Sequence, residues 1–408
     1  MTFIPIENLG GSNVLASIVY GFKIDSTISN PNSNITYLED AIGKTPAYMN
    51  YSNGEFNYGD WKNAFFMPKP CMLKSNGEVA YYLNPNNYAL KEDGSASDIS
   101  NTSFDGNAMM EWGRGGKQIW TKIVADSTGF GASVYISNAK KDDDYKAWSF
   151  VGRDGTLKKH FYTPIYNGSN VSNKLRSLSG QTCASSLSGT TEITYAQANG
   201  VGWHTEIIAD RILINLLLML IGKSTNTQAT FGNGHYINGS SASSLLKTGT
   251  MDNKGLFWGT NGSGSGVKIF GMENWWGNMW RRTSGLVNAN GTQKYKLTYG
   301  MEDGSSIIGW NTDGSGYKTV GNSTPSGTSG GYLNRMLWTK DGMFGKNASG
   351  SETTYYCDGM GFNNSQNSYA LVGGACNNSW SCGAFALNLG NLVSYAVWAI
   401  GATISYHA

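Results

Sequence analysis

The chain of 408 residues has a formal net charge of +2, with 14% charged and 40% hydrophobic residues. A charge so close to neutral argues against a nucleic-acid or membrane-surface protein that depends on a basic field. Five cysteines at irregular spacing exclude a disulfide framework and a paired C-x-x-C zinc site. The one long apolar run, residues 212–221, is shorter than the roughly 20 residues that span a bilayer, so we expect no membrane insertion.

The N-terminal part of the chain alternates short apolar segments with Asn, Gly and Pro turns, which is typical of a turn-rich β protein. Residues 79–83 are predicted to form a strand, and residues 36–42 fit one short helix. Residues 92–98 contain no bulky apolar side chain, and we place a domain boundary there or just after. The sequence therefore predicts a small β-rich domain over residues 1–105 and a second domain over residues 106–408.

The second domain begins with further predicted strands, at residues 109–112, 118–124, 133–137 and 160–168. Residues 203–221 then form the strongest predicted helix, because their apolar positions recur at three- and four-residue steps and Gly222 follows. We expect this helix to be largely buried, since beyond its first turn it is polar only at Asp210, Arg211 and Asn215.

The C-terminal segment combines a regular apolar pattern with a polar and aromatic fringe. Its frame, as we call it, consists of Gly373-Gly374, the alternating residues Phe385, Leu387 and Leu389, and Ile400-Gly401. The residues around the frame are the adaptable hydrogen-bonders and rigid aromatics that recognition loops favour. They predict a binding surface at Asn377, Asn378, Ser379, Trp380, Ser381, Asn391, Ser394, Tyr395 and Trp398. Exposed aromatic side chains of this size favour a contact that covers them.

Three parts of the chain carry a resemblance to a known family: the C-terminal segment, residues 195–204, and the block Gly271-Met-Glu-Asn-Trp-Trp-Gly-Asn-Met-Trp280. Together they resemble the C-type-lectin-fold proteins that retroelements diversify in phages and gut bacteria. The block is also similar, more distantly, to that of the formylglycine-generating-enzyme fold. The frame departs from the family at four positions, where Arg, an aromatic residue, Asn and Arg are usual: Val372, Cys376, Ala399 and Thr403.

The resemblance implies an α+β fold, in which a C-type-lectin-like domain with one main buried helix follows the small β-rich domain. It also implies a phage virion protein, a tail- or head-fibre-associated adhesin located in the virion. Its partners would be other virion proteins, a bacterial surface receptor of glycan or protein, and further copies of the chain in a homo-oligomer. Residues 1–7 carry no secretory signal, as expected of a virion component that is released by lysis.

Two alternative functions are open. A structural decoration protein would use the same aromatic surface as a contact between subunits, and a virion interface covering Trp380 and Trp398 would identify it. An enzyme of the formylglycine-generating type would use a cysteine pair, and bound copper or redox-dependent turnover would identify it. Cys376 and Cys382 match that family only in being two thiols, so we predict no enzyme, no catalytic residue and no cofactor. Whether these two cysteines form a disulfide is open at this point.

The resemblance block itself is predicted to be structural. Trp275, Trp276 and Trp280 surround a tight turn, and a packed core is the better prediction than a platform for stacking sugars. Glu273 and Asn274 lack the neighbouring carboxylates of a calcium site, so we expect them to bond loop amides instead. The four histidines are scattered along the sequence. We therefore predict no metal site.

Overall fold

The computed structural model describes residues 17–321 and 323–408. They form a β-rich fold with few helices. The predicted absence of a secretory signal concerns residues 1–7, which lie outside the described residues, as does the beginning of the predicted 1–105 domain.

The strands that precede the first helix are, in chain order, β1 (Val19–Ile24), β2 (Ile35–Glu39), β3 (Tyr48–Asn50), β4 (Glu55–Asn57), β5 (Lys69–Leu73), β6 (Val79–Asn84), β7 (Asn87–Lys91), β8 (Asn107–Trp112), β9 (Trp120–Ala125), β10 (Ala132–Ser137), β11 (Phe161–Pro164), β12 (Ser169–Val171) and β13 (Lys174–Arg176). A helical region follows, with α1 (Gly189–Gln197), β14 (Trp203–Thr205), α2 (Ile208–Gly222) and α3 (Thr227–Phe231).

The remaining strands are β15 (Lys268–Ile269), β16 (Met272–Glu273), β17 (Trp280–Ala289), β18 (Thr292–Tyr295), β19 (Lys318–Thr319), β20 (Ser326–Gly327), β21 (Gly331–Tyr332), β22 (Arg335–Thr339), β23 (Gly342–Ala348), β24 (Gly359–Phe362), β25 (Asn367–Val372), β26 (Leu387–Leu389), β27 (Ile400–Gly401) and β28 (Ile404–Tyr406). Single 3-10 turns lie at Arg114–Gly116, Trp148–Phe150, Ala242–Ser244 and Ser379–Ser381.

Two sheets join the N-terminal part of the chain to later parts. A four-stranded antiparallel sheet has the order β2-β1-β10-β9, and a seven-stranded sheet has the order β14-β28-β11-β8-β5-β6-β7. Both therefore contain strands from either side of residue 105. These two sheets therefore extend across the boundary that the polar loop 92–98 suggested. Pairing between strands that are distant in sequence does not depend on the composition of the loop between them.

An eight-stranded sheet holds most of the C-terminal part. Its order is β19-β18-β17-β25-β26-β24-β21, with β27 added in parallel to β17. A smaller sheet, β20-β23-β22, and three two-stranded pairs, β3-β4, β12-β13 and β15-β16, complete the pairing. The C-terminal segment thus contributes β26 and β27 to the eight-stranded sheet and β28 to the seven-stranded one.

Helix α2 lies at the centre of the main hydrophobic core, where it contacts β1, β17 and β23 from three different sheets. Every residue from Ile208 to Gly222 is buried, as its apolar pattern predicted. The helix ends where Lys223 adopts a left-handed conformation, with φ 49°, and its amide bonds Met219 O. Its predicted start at Trp203 is wrong, because residues 203–205 pair with β28 as strand β14.

The predicted short helix at residues 36–42 is also wrong. Residues 35–39 form β2, which pairs with β1, and buried and more exposed positions alternate along it. The Tyr37 hydroxyl donates a hydrogen bond of 2.7 Å to Leu220 O near the end of α2. This contact with a distant part of the chain fixes the face that β2 buries and cannot be read from the local sequence.

Candidate functional site

The frame of the C-terminal segment is buried in the eight-stranded sheet. β26 pairs with β25 through Leu387 and with β24 in parallel. Phe385, Leu387 and Leu389 are buried, as predicted. Their alternation with more exposed residues holds only at Asn388, since Ala386 is buried as well and Phe385 precedes β26. β27 pairs with the beginning of β17, so both ends of the segment are anchored in the same sheet.

The two glycines that open the frame have a clear steric purpose. Gly373 and Gly374 adopt φ values of 89° and 80°, a region that residues with a side chain rarely occupy. A Cβ on Gly374 would lie 2.7 Å from the Cys382 sulfur. The backbone at Gly374 therefore lies closer to Cys382 than a residue with a side chain would allow.

The polar positions of α2 hold the middle of the frame. Arg211 Nη2 and Asn215 Nδ2 both donate to the Ala384 carbonyl, at 3.1 and 2.7 Å. On the other side, the buried Asp358 carboxylate accepts the Phe385 amide at 2.7 Å. The sequence singled out Arg211 and Asn215 as interruptions of an apolar helix, and the structure gives them this positioning role.

A buried cluster of charged side chains surrounds Arg211, which makes one of these contacts. Arg211 and Arg281 place their guanidinium carbons 4.3 and 4.4 Å from the Trp275 ring, and both donate to the Trp275 carbonyl. Glu206 lies between the two arginines, 3.6 Å from Arg211 and 3.4 Å from Arg281. Burial lowers the pKa of Arg211 to about 9, and the Glu206 charge opposes that shift. Arg211 therefore still carries its charge at neutral pH.

The first loop, residues 375–382, presents Trp380 at the surface. Asn378 and Ser381 are used locally: Asn378 Oδ1 accepts the Ala375 amide, and Ser381 Oγ donates to Asn378 O at 2.6 Å. Trp380 remains 45% exposed, and one edge packs on Tyr236 with ring centroids 5.0 Å apart. Asn377 and Ser379 beside it are exposed as well. Tyr236 is a neighbour that sequence reasoning missed, because it lies far away in the chain.

The second loop, residues 390–398, presents Tyr395, which is 47% exposed. Its carbonyl accepts a hydrogen bond from Arg282, whose other nitrogen pairs with the buried Glu192 at 2.7 Å. Leu392, 46% exposed, was missed by the sequence analysis, and the Tyr395 amide bonds its carbonyl. The two side chains thus share one exposed turn on a buried ionic support.

The other predicted residues of the second loop differ in exposure. Ser394 is exposed, whereas Asn391 donates to Asn388 Oδ1 within its own turn at 3.1 Å. Trp398 is half-buried. Among the described residues, no hydrogen bond or ring contact joins the first loop to the second. They lie at opposite ends of β26 and form two separate exposed points.

The resemblance block is packed as predicted. Trp275 and Trp276 are fully buried and Trp280 half-buried, which confirms the core interpretation for the first two. Glu273 accepts the amides of Gly249 and Met251 at 2.9 and 2.7 Å, the loop bonding that was expected of it. Burial raises the pKa of Glu273 to about 7. The described residues contain no cluster of three or more His, Cys, Asp or Glu side chains able to hold a metal ion.

All five cysteines are free thiols and buried. Cys382 donates to the Ala375 carbonyl, so no disulfide links it to Cys376. Burial raises the pKa of both thiols, and for Cys382 the neighbouring Asp358 adds to the effect. A raised pKa disfavours the thiolate form that nucleophilic or redox chemistry requires.

No helix in the parts of the chain that the structure describes is long and apolar enough to cross a membrane. No protein-family model matches the chain, and comparison with curated proteins finds no significant match.

Proposed function

We propose that this chain is a phage virion protein with a C-type-lectin-like domain, and that its two C-terminal loops bind a receptor on the bacterial surface. One observation carries the proposal. Trp380 and Tyr395 are each about half exposed, on short irregular loops whose flanking residues are buried and hydrogen-bonded. Large aromatic side chains held at the surface by a rigid support are the residues that most often dominate binding energy.

The arrangement around the loops supports a lectin-like class. One fully buried helix lies behind a sheet, and its polar side chains hold the segment from which the loops emerge. The loops can therefore differ in sequence without disturbing the core, as the resemblance to diversified proteins implies. The proposed location in a virion, and the proposed contacts with other virion proteins and further copies, rest on that resemblance alone.

The alternative of a formylglycine-type oxidase has less support. Such an enzyme needs a reactive cysteine pair, whereas the Cys376 and Cys382 thiols are buried and have raised pKa values. A non-catalytic binding function accounts for these features better.

The test is to assemble phage particles that carry Trp380→Ala/Tyr395→Ala and to measure their adsorption to host cells. Hot-spot aromatics typically contribute about 2 kcal/mol or more each, so adsorption should fall by orders of magnitude. The matched control is Ile42→Ala/Ile308→Ala, which removes two side chains that are 69% and 68% exposed elsewhere. It should adsorb like the unmodified particle.

Sedimentation of the purified chain separates the proposal from its structural alternative. If the aromatic variant adsorbs poorly but keeps the oligomeric state and the particle yield of the unmodified chain, receptor binding is supported. If it instead dissociates or fails to enter particles, Trp380 and Tyr395 are subunit contacts and the decoration-protein alternative replaces the adhesin. Unchanged adsorption would refute the role of both loops.

A further inference from the structure

A cavity lies on the part of the molecule built by β5, β6 and β8. It has a volume of about 510 Å³, within the range of small-molecule sites. Pro68, Pro70 and Leu256 form apolar parts of its wall, and Tyr82 adds an aromatic one. No residue of the C-terminal segment lines it. It is therefore a candidate site independent of the proposed receptor-binding loops.

The cavity contains a buried carboxylate, that of Glu111, a residue that is only 9% exposed. Glu111 Oε1 accepts the Tyr82 hydroxyl at 3.1 Å, and Oε2 accepts the Tyr162 hydroxyl at 2.9 Å. Burial raises the pKa of Tyr82 to about 12, so this hydroxyl stays protonated and donates. A carboxylate has about four acceptor positions, and these two bonds leave the others for hydroxyl donors of a ligand.

The basic side chains that line the cavity differ in whether they are paired with a carboxylate. Lys69 is satisfied within the protein, since it pairs with Glu92 at 2.9 Å and lies 3.7 Å from the centre of the Tyr82 ring. Lys62 and Arg114 also line the cavity and are exposed, and neither has a carboxylate within ion-pair distance among the described residues. Two exposed cations beside a fixed hydroxyl acceptor suit a ligand that carries both an acid group and hydroxyl groups.

An aromatic groove is lined by residues adjacent in sequence to some of those that line the cavity. It has a volume of about 350 Å³ and contains Phe56, Tyr58 and Trp258, all half-buried. Pro85 and Leu256 line the cavity, and their chain neighbours Asn86 and Gly255 line the groove. Flat aromatic faces pack on the apolar faces of sugar rings. The groove therefore extends the site for a ligand longer than one ring.

We propose that this cavity and groove bind an acidic oligosaccharide. Arg114 and Lys62 would pair with the carboxylate of one sugar unit, and Glu111 would accept that unit's hydroxyl groups. A neighbouring sugar would stack in the aromatic groove. Arginine is well suited to the first contact because its planar guanidinium matches a carboxylate. The inference goes beyond the proposed receptor-binding loops and uses none of their residues.

The test measures binding of the full chain to a panel of uronic- and ulosonic-acid oligosaccharides, each beside the same oligosaccharide with its carboxyl groups reduced to alcohols. At least one acidic member should bind, and its reduced counterpart should bind at least tenfold more weakly. Lys62→Ala/Arg114→Ala should weaken binding of the acidic member by tenfold or more. The matched control, Lys247→Ala/Lys340→Ala, removes the same charge from exposed positions elsewhere and should bind like the unmodified chain.

Two outcomes would overturn the proposal. The first is a panel in which no acidic member binds better than its reduced counterpart. The second is a Lys62→Ala/Arg114→Ala variant that melts like the unmodified chain and still binds with full affinity, which would place binding elsewhere. Trp380→Ala/Tyr395→Ala should keep its affinity for the panel. A failure of the receptor-binding proposal therefore leaves this one standing, and the reverse also holds.

Discussion

The frame and the tips of the two loops belong to one short segment, yet their side chains differ sharply in burial. The middle of the frame is fixed by distant residues, since Arg211 and Asn215 of α2 and the buried Asp358 bond its backbone. The loops combine bonds within their own turns, such as Ala375 N to Asn378 Oδ1, with bonds from distant residues, such as Gly189 N to Val393 O. Their tips, however, present the side chains of Trp380 and Tyr395 at the surface. The difference teaches that this segment separates stability from recognition. Changes in the frame should unfold the molecule, whereas changes at the loop tips should alter only its surface.

The largest effect is expected from removing the distant part of the chain altogether. A fragment of residues 106–408 lacks β1 and β2 of the four-stranded sheet and β5, β6 and β7 of the sheet that contains β28. Its exposed sheet edges and the loss of core side chains such as Phe22, Trp61 and Phe66 should prevent cooperative folding. Thermal unfolding followed by calorimetry tests this expectation. A sharp transition near that of the full chain would mean that the first 105 residues form a dispensable domain after all.

The next effect concerns the contact between α2 and the frame. Arg211→Met keeps the length of the side chain but removes its bonds to Trp275 O and Ala384 O, and it deprives Glu206 of one charge partner. Breaking a buried pair by removing one partner typically costs about 3 to 5 kcal/mol. Urea unfolding should show a loss of that size. Lys247→Met, at an exposed position, serves as the control and should change stability by less than about 0.5 kcal/mol.

Acid should lower the stability of the folded chain through His204, which pairs with the end of the C-terminal segment. This histidine pairs with Ser405 across β14 and β28, and burial lowers its pKa from 6.5 to about 4. Between these two values the unfolded chain binds a proton that the folded chain does not, so stability falls as the pH drops from 6.5 towards 4. The shift corresponds to about 3 kcal/mol.

The variant His204→Asn places an amide near the position of Nδ1, which lies 3.2 Å from Thr205 Oγ1. Relative to the unmodified chain, it should lose about 3 kcal/mol less between pH 7 and pH 4. Denaturant unfolding at several pH values measures this difference. Parallel stability curves for the two proteins would show that His204 does not contribute to acid sensitivity.

The smallest effect on stability is expected at the loop tips. Trp380→Ala/Tyr395→Ala removes side chains that are about half exposed and touches no residue of the frame. Surface substitutions usually change stability by less than about 0.5 kcal/mol each, so the melting temperature should move by only a few degrees. A loss of stability as large as that expected for Arg211→Met would show that the loop tips contribute to folding as the frame does.

The sequence predicted those features that depend on neighbouring residues. The burial of Phe385, Leu387 and Leu389 and of α2 follows from the local apolar pattern, and both are present in the structure, although the alternation itself is limited to residues 387–389. The roles of Glu273 and Trp275 were also predicted, because a carboxylate without acidic neighbours and a tryptophan beside a tight turn have few other uses.

The features that the sequence missed depend on contacts between distant residues. β2 is a strand because it pairs with β1 and contacts α2, although its local sequence fits a helix. The cavity at Glu111 combines residues from at least five separate stretches of chain, and no motif marks it. The division at residue 105 was inferred from one polar loop, which carries no information about which strands pair across it.

The place of β28 has a consequence for how the molecule is made. This strand lies between β14 and β11 inside the seven-stranded sheet, so β5 to β8 and β14 occupy the same sheet only when residues 404–406 join them. During synthesis the earlier strands emerge first, and the edges of β14 and β11 that later pair with β28 have no partner. Such edges promote aggregation, and pairing across long chain separations is slow. Completion of the sheet therefore waits for β28, and the edges of β14 and β11 need protection until β28 has emerged and paired with them.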